Sequence, residues 1–247
     1  MALPTIHGVI RRRILVNFRV DPEVIQRLLP EPFRPKLQAD AALAGICLIR
    51  LEQVRPRPFP AALGLSSENA AHRVAVEWTT PAGEERQGVY IPRRDSNSLV
   101  NYLVGGRLFP GEHHRAEFSI VDRAGAIDLS MHSVDREVAI ELRGTASSDL
   151  PASSSFASLQ AASDFFEQGA VGYSEKAQGD ELDGVRLLTR NWRVEPLAVE
   201  HVRSSFFSDT RLFPQGSVEF DCTLLMRDIA HEWQRVPNLR TKGLRAP

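Results

Sequence analysis

Residues 88–118 read GVYIPRRDSNSLVNYLVGGRLFPGEHHRAEF, and their punctuation sets the architecture. Gly88-Val89-Tyr90-Ile91 is strand-like and meets a turn at Pro92. A short amphipathic helix is expected to open near Asp95 or Ser96 and to carry Leu99, Val100, Leu103 and Val104. The reason is that Asp, Ser and Asn ahead of an apolar run take up a helix's orphan N–H groups. Gly105-Gly106 ends it, since glycine accepts the left-handed backbone at a helix end. The chain continues through Arg107 to His113, His114 and Arg115, then enters a new strand at Ala116-Glu117-Phe118. This strand–helix–strand unit delivers an imidazole pair and a guanidinium to a strand start.

Upstream, Ile14–Val20 reads as a strand. Asp21-Pro22-Glu23 is a strong helix start, with a capping carboxylate, proline at the first helical position and an acid in the first turn. Val24, Ile25, Leu28 and Leu29 give one apolar face, and Pro30 and Pro32 end the helix. Leu43–Val54 reads as a strand. Arg55–Pro60 alternates proline with other residues and is a stiff loop, either a plain connection or a lid. Ser66-Ser67-Glu68-Asn69 precedes a strand over His72–Trp78, and Ala82-Gly83-Glu84 is a hairpin-type turn.

Downstream the pattern is a meander of short strands: Phe118–Val121, Ala126–His132 and Val138–Leu142. The Ser/Ala-rich stretch Ala146–Ser158 reads as a surface loop entering a helix, with a domain linker as the alternative. Leu159, Ala162, Phe165 and Phe166 form that helix's apolar face, closed by Gly169. Gly184–Val194 and Leu197–Phe207 read as strands around Glu195-Pro196, Ser217–Met226 as the last strand, and the tail from Val236 as polar and loose.

Two motifs carry a resemblance. In residues 106–115 the chain resembles the acetoacetate decarboxylases, in which a Gly-Arg pair is followed, seven residues after its Arg, by two adjacent lysines. The first of those lysines forms a Schiff base with substrate, and the second depresses its pKa. Seven residues after Arg107 stands His114, with Arg115 next. Histidine has no primary amine and cannot form that imine. The Asp-Pro-Glu helix closing in Leu-Pro-Glu-Pro is the second similarity, and the family's active-site arginine ten residues before the Asp matches Arg11. A family glutamate just before the following strand matches Glu68, with Glu77 as the competitor. The chain is thus identified as a member of an uncharacterised bacterial branch of this superfamily that lacks the Schiff-base lysine.

The resemblance implies a mainly β (α+β) fold: a closed or nearly closed antiparallel β-barrel with a few short outer helices and an internal pocket. The many short strands and Gly/Pro punctuation agree with that class, and residues 1–247 are expected to form a single domain. Within the pocket, His114 and Glu68 are expected as acid–base groups, and Arg11 and Arg115 as binding groups for a small anionic or carbonyl ligand. Two guanidiniums favour a carboxylate, because the planar fork bonds it in bidentate fashion. His114 has an equally plain reading as a structural side chain. A site for acid–base chemistry on oxo-acids, a binding module without turnover and an oligomer with a relic cavity all remain open.

Composition narrows the classes further. Hydrophobic content of 43% and charged content of 25% over 247 residues suit a globular protein with a sizeable core. A formal charge of -1 argues against a general nucleic-acid binder. The two cysteines, Cys47 and Cys222, read as buried thiols in a reducing compartment. The longest apolar run, Ala41–Ile49, is too short to span a membrane. The N-terminus shows no cleavage signal, so a cytoplasmic protein without membrane or nucleic-acid partners is expected, and by resemblance a homo-oligomer. No cofactor or metal is expected, since adjacent histidines on a strand face opposite ways and no ligand spacing accompanies them.

Overall fold

The computed structural model describes residues 5–56, 59–99, 111–176 and 180–241. The elements, in chain order, begin with β1 (Ile6–Val20), α1 (Pro22–Leu28), β2 (Arg34–Pro35), β3 (Leu37–Gln38), β4 (Ala41–Pro56), β5 (Leu65–Thr79) and β6 (Glu85–Ser96). They continue with β7 (His113–Arg123), β8 (Ala126–Ser133), β9 (Ala139–Ala146), α2 (Leu159–Glu167), β10 (Val171–Glu175), β11 (Glu181–Thr189), β12 (Glu195–Ser204) and β13 (Val218–Arg240). The fold is mainly β, as expected. Among the described residues no helix is long and apolar enough to cross a membrane.

The strands close into two hydrogen-bonded rings that share one wall. The larger ring runs β6-β7-β8-β9-β12-β13-β1-β4-β5 and returns to β6. The smaller runs β11-β10-β6-β5-β4-β1-β13 and closes through the β11–β13 pairing. Most pairings are antiparallel, but β6 pairs in parallel with both β7 and β10. Closure of both rings leaves few strand edges to template association.

The shared wall has a core on each face, and period-two alternation sorts side chains between them. Along β1, Ile14, Val16, Phe18 and Val20 pack in the larger ring with Ile46, Leu48, Val74 and Val76. Leu15 faces the smaller ring with Cys47, Ile49, Leu51, Cys222 and Leu224. The alternation breaks at Arg11, where the β1–β4 register shifts between Ile10 and Arg12. Ile10, fully buried, therefore joins Leu15's side, and Arg11 is turned out. A one-residue bulge of this kind exchanges the faces of everything beyond it.

The local signals act as their chemistry requires. Asp21 accepts a hydrogen bond from the Glu23 N–H at 2.8 Å and caps α1, whose Val24 and Ile25 are buried. Ser158 caps α2 in the same way through the Ala161 N–H. Ala124 and Gly125, at φ 51° and 80°, make the tight turn between β7 and β8, and twist of that hand matches antiparallel strands. Gly45 in β4 is needed for close approach, because a Cβ there would lie 2.1 Å from the Val16 carbonyl oxygen of β1. Gly45→Ala is expected to cost about 4 kcal/mol or more, the range of severe core lesions. The measurement is a urea unfolding curve; an unchanged midpoint would contradict the close packing.

Several boundaries differ from the sequence expectation. Pro92 makes no turn; it sits inside β6 near a shift of the β5–β6 register, where a residue without an N–H is tolerated. Asp95 and Ser96 end β6 rather than opening a helix, because both pair with β5 and β7. The rest of the expected helix, Val100–Val104, with Gly105-Gly106 and Arg107, lies outside the described residues. Glu68 lies inside β5, not ahead of it. β11 stops at Thr189, short of Val194, and Glu195-Pro196 belongs to β12. Val236–Arg240, expected to be loose, continues β13 and pairs with β11, with Val236 and Leu239 packed against the core.

Candidate functional site

A cavity of about 310 Å³ lies inside the smaller ring, against the shared wall and under α2. Most of its surface is apolar: Ile49, Leu51, Val89, Ile91, Leu187 and Trp192 contribute. Exposed Leu188 and Glu167 border it. Its polar side is made by Arg13 of β1, Arg73 of β5 and Arg94 of β6, with Cys47 of β4 and His113 of β7.

The charge of this lining is unusual for a buried place. Among the described residues, no carboxylate pairs with Arg13, Arg73 or Arg94. Arg13 donates through Nε to the Cys47 sulfur at 3.3 Å and stands 5.7 Å over the Trp192 ring. Arg73 is 4% exposed, donates to the Asn17 side-chain oxygen and lies 4.8 Å over the Phe166 ring. Its Nε has no acceptor. Arg94 is half-buried, and its buried Nε and Nη2 meet no acceptor among the described residues. Burial lowers the pKa of both Arg73 and Arg94 to about 10, which still leaves them cationic at neutral pH.

The acids nearby do not neutralise these guanidiniums. Asp95 borders the cavity but is held by Arg93 at 3.0 Å, and Glu167 is exposed. His113 is buried, with Nδ1 3.2 Å from the Gly111 carbonyl oxygen. Burial, then the charge of Arg94, lowers its pKa to about 4, so the imidazole is neutral near pH 7. If Nδ1–H donates to Gly111, the other ring nitrogen carries the lone pair.

None of the four residues singled out in the sequence lines this cavity. Arg11 is exposed and paired with Glu52 at 2.9 Å and Asp228 at 2.5 Å. Glu68 lies on the larger-ring face, bonded to Arg12 at 2.7 Å and 3.8 Å from Arg50. Burial raises its pKa against the pull of those arginines. His114 bonds Asp135 at 2.9 Å on the face opposite His113, and Arg115 is exposed. The structure thus brings Glu68 near Arg12 and Arg50 but gathers neither His114 nor Arg115 with them.

Counting along a motif does not fix strand register, and an error of one position moves a side chain to the other face. His113, Arg13, Arg73, Arg94 and Cys47 are the residues the motif count passed over. The usable signal was alternation, which put Arg13 on the face of Leu15, and the expectation that only one of the two histidines enters a pocket.

His114, Asp135 and Glu137 place their ligand atoms within 4.8 Å of one another, which is metal-like spacing. However, Arg93 donates to Asp135 at 2.7 Å and Glu137 at 2.5 Å while also holding Asp95. A guanidinium already supplies the positive charge that a metal ion would bring.

A family model matches residues 9–221: DUF2071, an uncharacterized conserved protein (COG2071). The chain belongs to the DUF2071 family. No curated protein matches it in sequence. Solved structures show what this DUF2071 chain is similar to in fold. One is an acetoacetate decarboxylase-like enzyme from Sphingomonas wittichii RW1, at TM-score 0.57 and 14% identity, over 94% of this chain and 92% of that one. Another is acetoacetate decarboxylase from Legionella pneumophila subsp. pneumophila str. Philadelphia 1, at TM-score 0.58 and 10% identity, over 96% and 88%. A third is the enduracididine biosynthesis enzyme MppR complexed with pyruvate, at TM-score 0.58 and 13% identity, over 97% and 91%. The DUF2071 chain therefore has the acetoacetate decarboxylase-like fold, and at these identities the likeness speaks for the fold alone.

Proposed function

We propose that the cavity binds a small oxo-acid or another anionic carbonyl compound, and that any turnover is acid–base chemistry rather than imine formation. Hydration, dehydration and enolisation are the reactions that fit. The observation that carries this reading is Arg94, a half-buried residue lining the largely apolar cavity, whose buried Nε and Nη2 lack acceptors among the described residues. An uncompensated buried charge is costly, and a ligand carboxylate removes that cost. Arg13 supplies a second guanidinium and Arg73 a third. Neutral His113 adds a polar, uncharged imidazole to the same lining. The pyruvate complex of MppR, on a similar fold, agrees with a ligand of this class.

A second reading, a binding module without turnover, is supported by the absence of a ready base. Among the described residues the acids bordering the cavity are either ion-paired or exposed. A turnover assay on a panel of oxo-acids separates the two.

Calorimetry with pyruvate, acetoacetate and longer oxo-acids tests the binding itself. Arg94→Gln is expected to weaken carboxylate binding roughly ten- to a hundredfold, the scale of a hydrogen bond to a charged group. Arg11→Gln should matter less. Equal losses, or a larger loss at Arg11, would restore the assignment made from the sequence motif, and no binding by any compound would sink the anion pocket.

Imine trapping gives an independent prediction. Lys36 borders a separate void of about 30 Å³ that shares Arg13, Arg73 and Phe166 with the cavity. Its ammonium bonds Gln168 at 3.3 Å and stands 4.1 Å over the Phe165 ring, and burial lowers its pKa. Since Lys36 does not line the cavity, borohydride treatment with acetoacetate is expected to leave no lysine adduct. A stable adduct at Lys36 would show that imine chemistry has moved to a new strand.

A further inference from the structure

Cys47 has surroundings that a merely structural thiol does not need. It is a free cysteine that lines the cavity, and Arg13 Nε points at its sulfur from 3.3 Å. Arg73 and Arg94 line the same cavity as this sulfur. Cys222 provides an internal contrast. It is fully buried, Asn17 approaches its sulfur at 3.6 Å, and it does not line the cavity.

A second observation makes the place a ligand site and not only a charged thiol. Arg73 is 4% exposed and faces the cavity with an unpartnered Nε, and Arg94 adds two unpartnered nitrogens. These donors call for an anion within reach of the same sulfur.

We propose that Cys47 is a cavity nucleophile whose targets are anionic electrophiles, in particular α,β-unsaturated oxo-acids. The sulfur adds to the β-carbon, forming a C–S bond, while the π pair moves toward the carbonyl oxygen. The thiol proton ends on the α-carbon, so atoms and electrons balance without an oxidant, reductant or second substrate. The guanidiniums stabilise the developing enolate oxygen during the addition. The charge selectivity rests on the anion reading above; the reactivity of the thiol does not.

Alkylation of the native protein tests both parts. Rates with iodoacetate and iodoacetamide are measured at each cysteine by peptide mass spectrometry, with glutathione as the reference thiol at the same pH. Sulfur displaces iodide in both reactions, so only the reagent's charge differs. Cys47 is expected to label while Cys222 does not. Relative to glutathione, the iodoacetate-to-iodoacetamide ratio should rise at Cys47 by on the order of tenfold, the low end of focusing by a charged cleft. Arg94→Gln should lower that ratio, and Cys47→Ser should abolish labelling. If Cys47 is inert to both reagents while carboxylates bind by calorimetry, the nucleophile is overturned and the anion pocket stands. If Cys47 labels readily but shows no preference for the anion, the anionic class of target is overturned, whatever calorimetry shows.

Discussion

Lowering the pH from 6.5 to 5 is expected to destabilise the fold steeply. Three histidines are buried in neutral form: His72, His113 and His231, at 0%, 8% and 2% exposure. Burial lowers their pKa values to about 3, 4 and 4 respectively. In the unfolded chain each returns to roughly 6.5. Between those limits the unfolded state holds protons that the folded state refuses, so stability falls as pH falls. Each histidine contributes a slope of up to about 1.4 kcal/mol per pH unit, and the three together about 4. The loss levels off near pH 4, where His113 and His231 protonate in the folded state. Glu68 and Asp95, whose carboxyl pKa values are raised mainly by burial, act in the opposite sense at the acidic end.

Urea midpoints at pH 7, 6 and 5 measure the effect. His72→Phe provides the internal control, because His72 already packs 4.5 Å from the Phe206 ring and neither of its nitrogens has a partner. That variant should lose about a third of the pH slope. Equal stability at pH 7 and pH 5 would mean that these histidines are not buried in neutral form.

Arg94→Met is expected to do two opposite things at once. It removes a half-buried charge that has no counter-ion among the described residues and leaves an unbranched apolar side chain in its place. Replacing buried charge by apolar volume stabilises proteins by about 1–4 kcal/mol where the geometry tolerates it. A gain of about 2 kcal/mol would raise the melting temperature by roughly 4–8 °C in a chain of this size. The same change should abolish carboxylate binding. Stability traded for a site is the mark of a functional group held at a cost. A destabilised Arg94→Met with intact binding would assign Arg94 to structure instead.

The fold was largely legible because its signals are local. Asp21-Pro22-Glu23, the Ala124-Gly125 turn and the apolar face of α2 each specify a feature through neighbouring residues. What escaped notice depends on pairing between distant strands. β10 is only Val171–Glu175 and contains no strong alternation, yet it is held between β6 and β11. The Val236–Arg240 extension looks polar because one of its faces is solvated while Val236 and Leu239 on the other pack against the core, and its pairing is with the distant β11. At the site, the kind of chemistry was legible but not the residues that line it. Arginines and a histidine near β1 and β7 were anticipated, yet the bulge at Arg11 and the register of β7 decide which of them face inward. A bulge is invisible in one sequence, since it is an agreement between two strands and not a property of either.

The wall common to both rings also bears on how this protein changes over generations. Even-numbered positions such as Ile14, Ile46, Leu48, Val74 and Val76 secure one side, while Arg13, Cys47, Ile49, Ala71 and Arg73 shape the cavity on the other. Selection can therefore revise the second set while the first continues to hold the strands in register. A library restricted to Ile49, Leu51, Ala71 and Leu187 would explore new ligand shapes without disturbing the larger core. Two faces of the same five strands can, in this sense, change separately: one holds the larger core, the other lines the cavity.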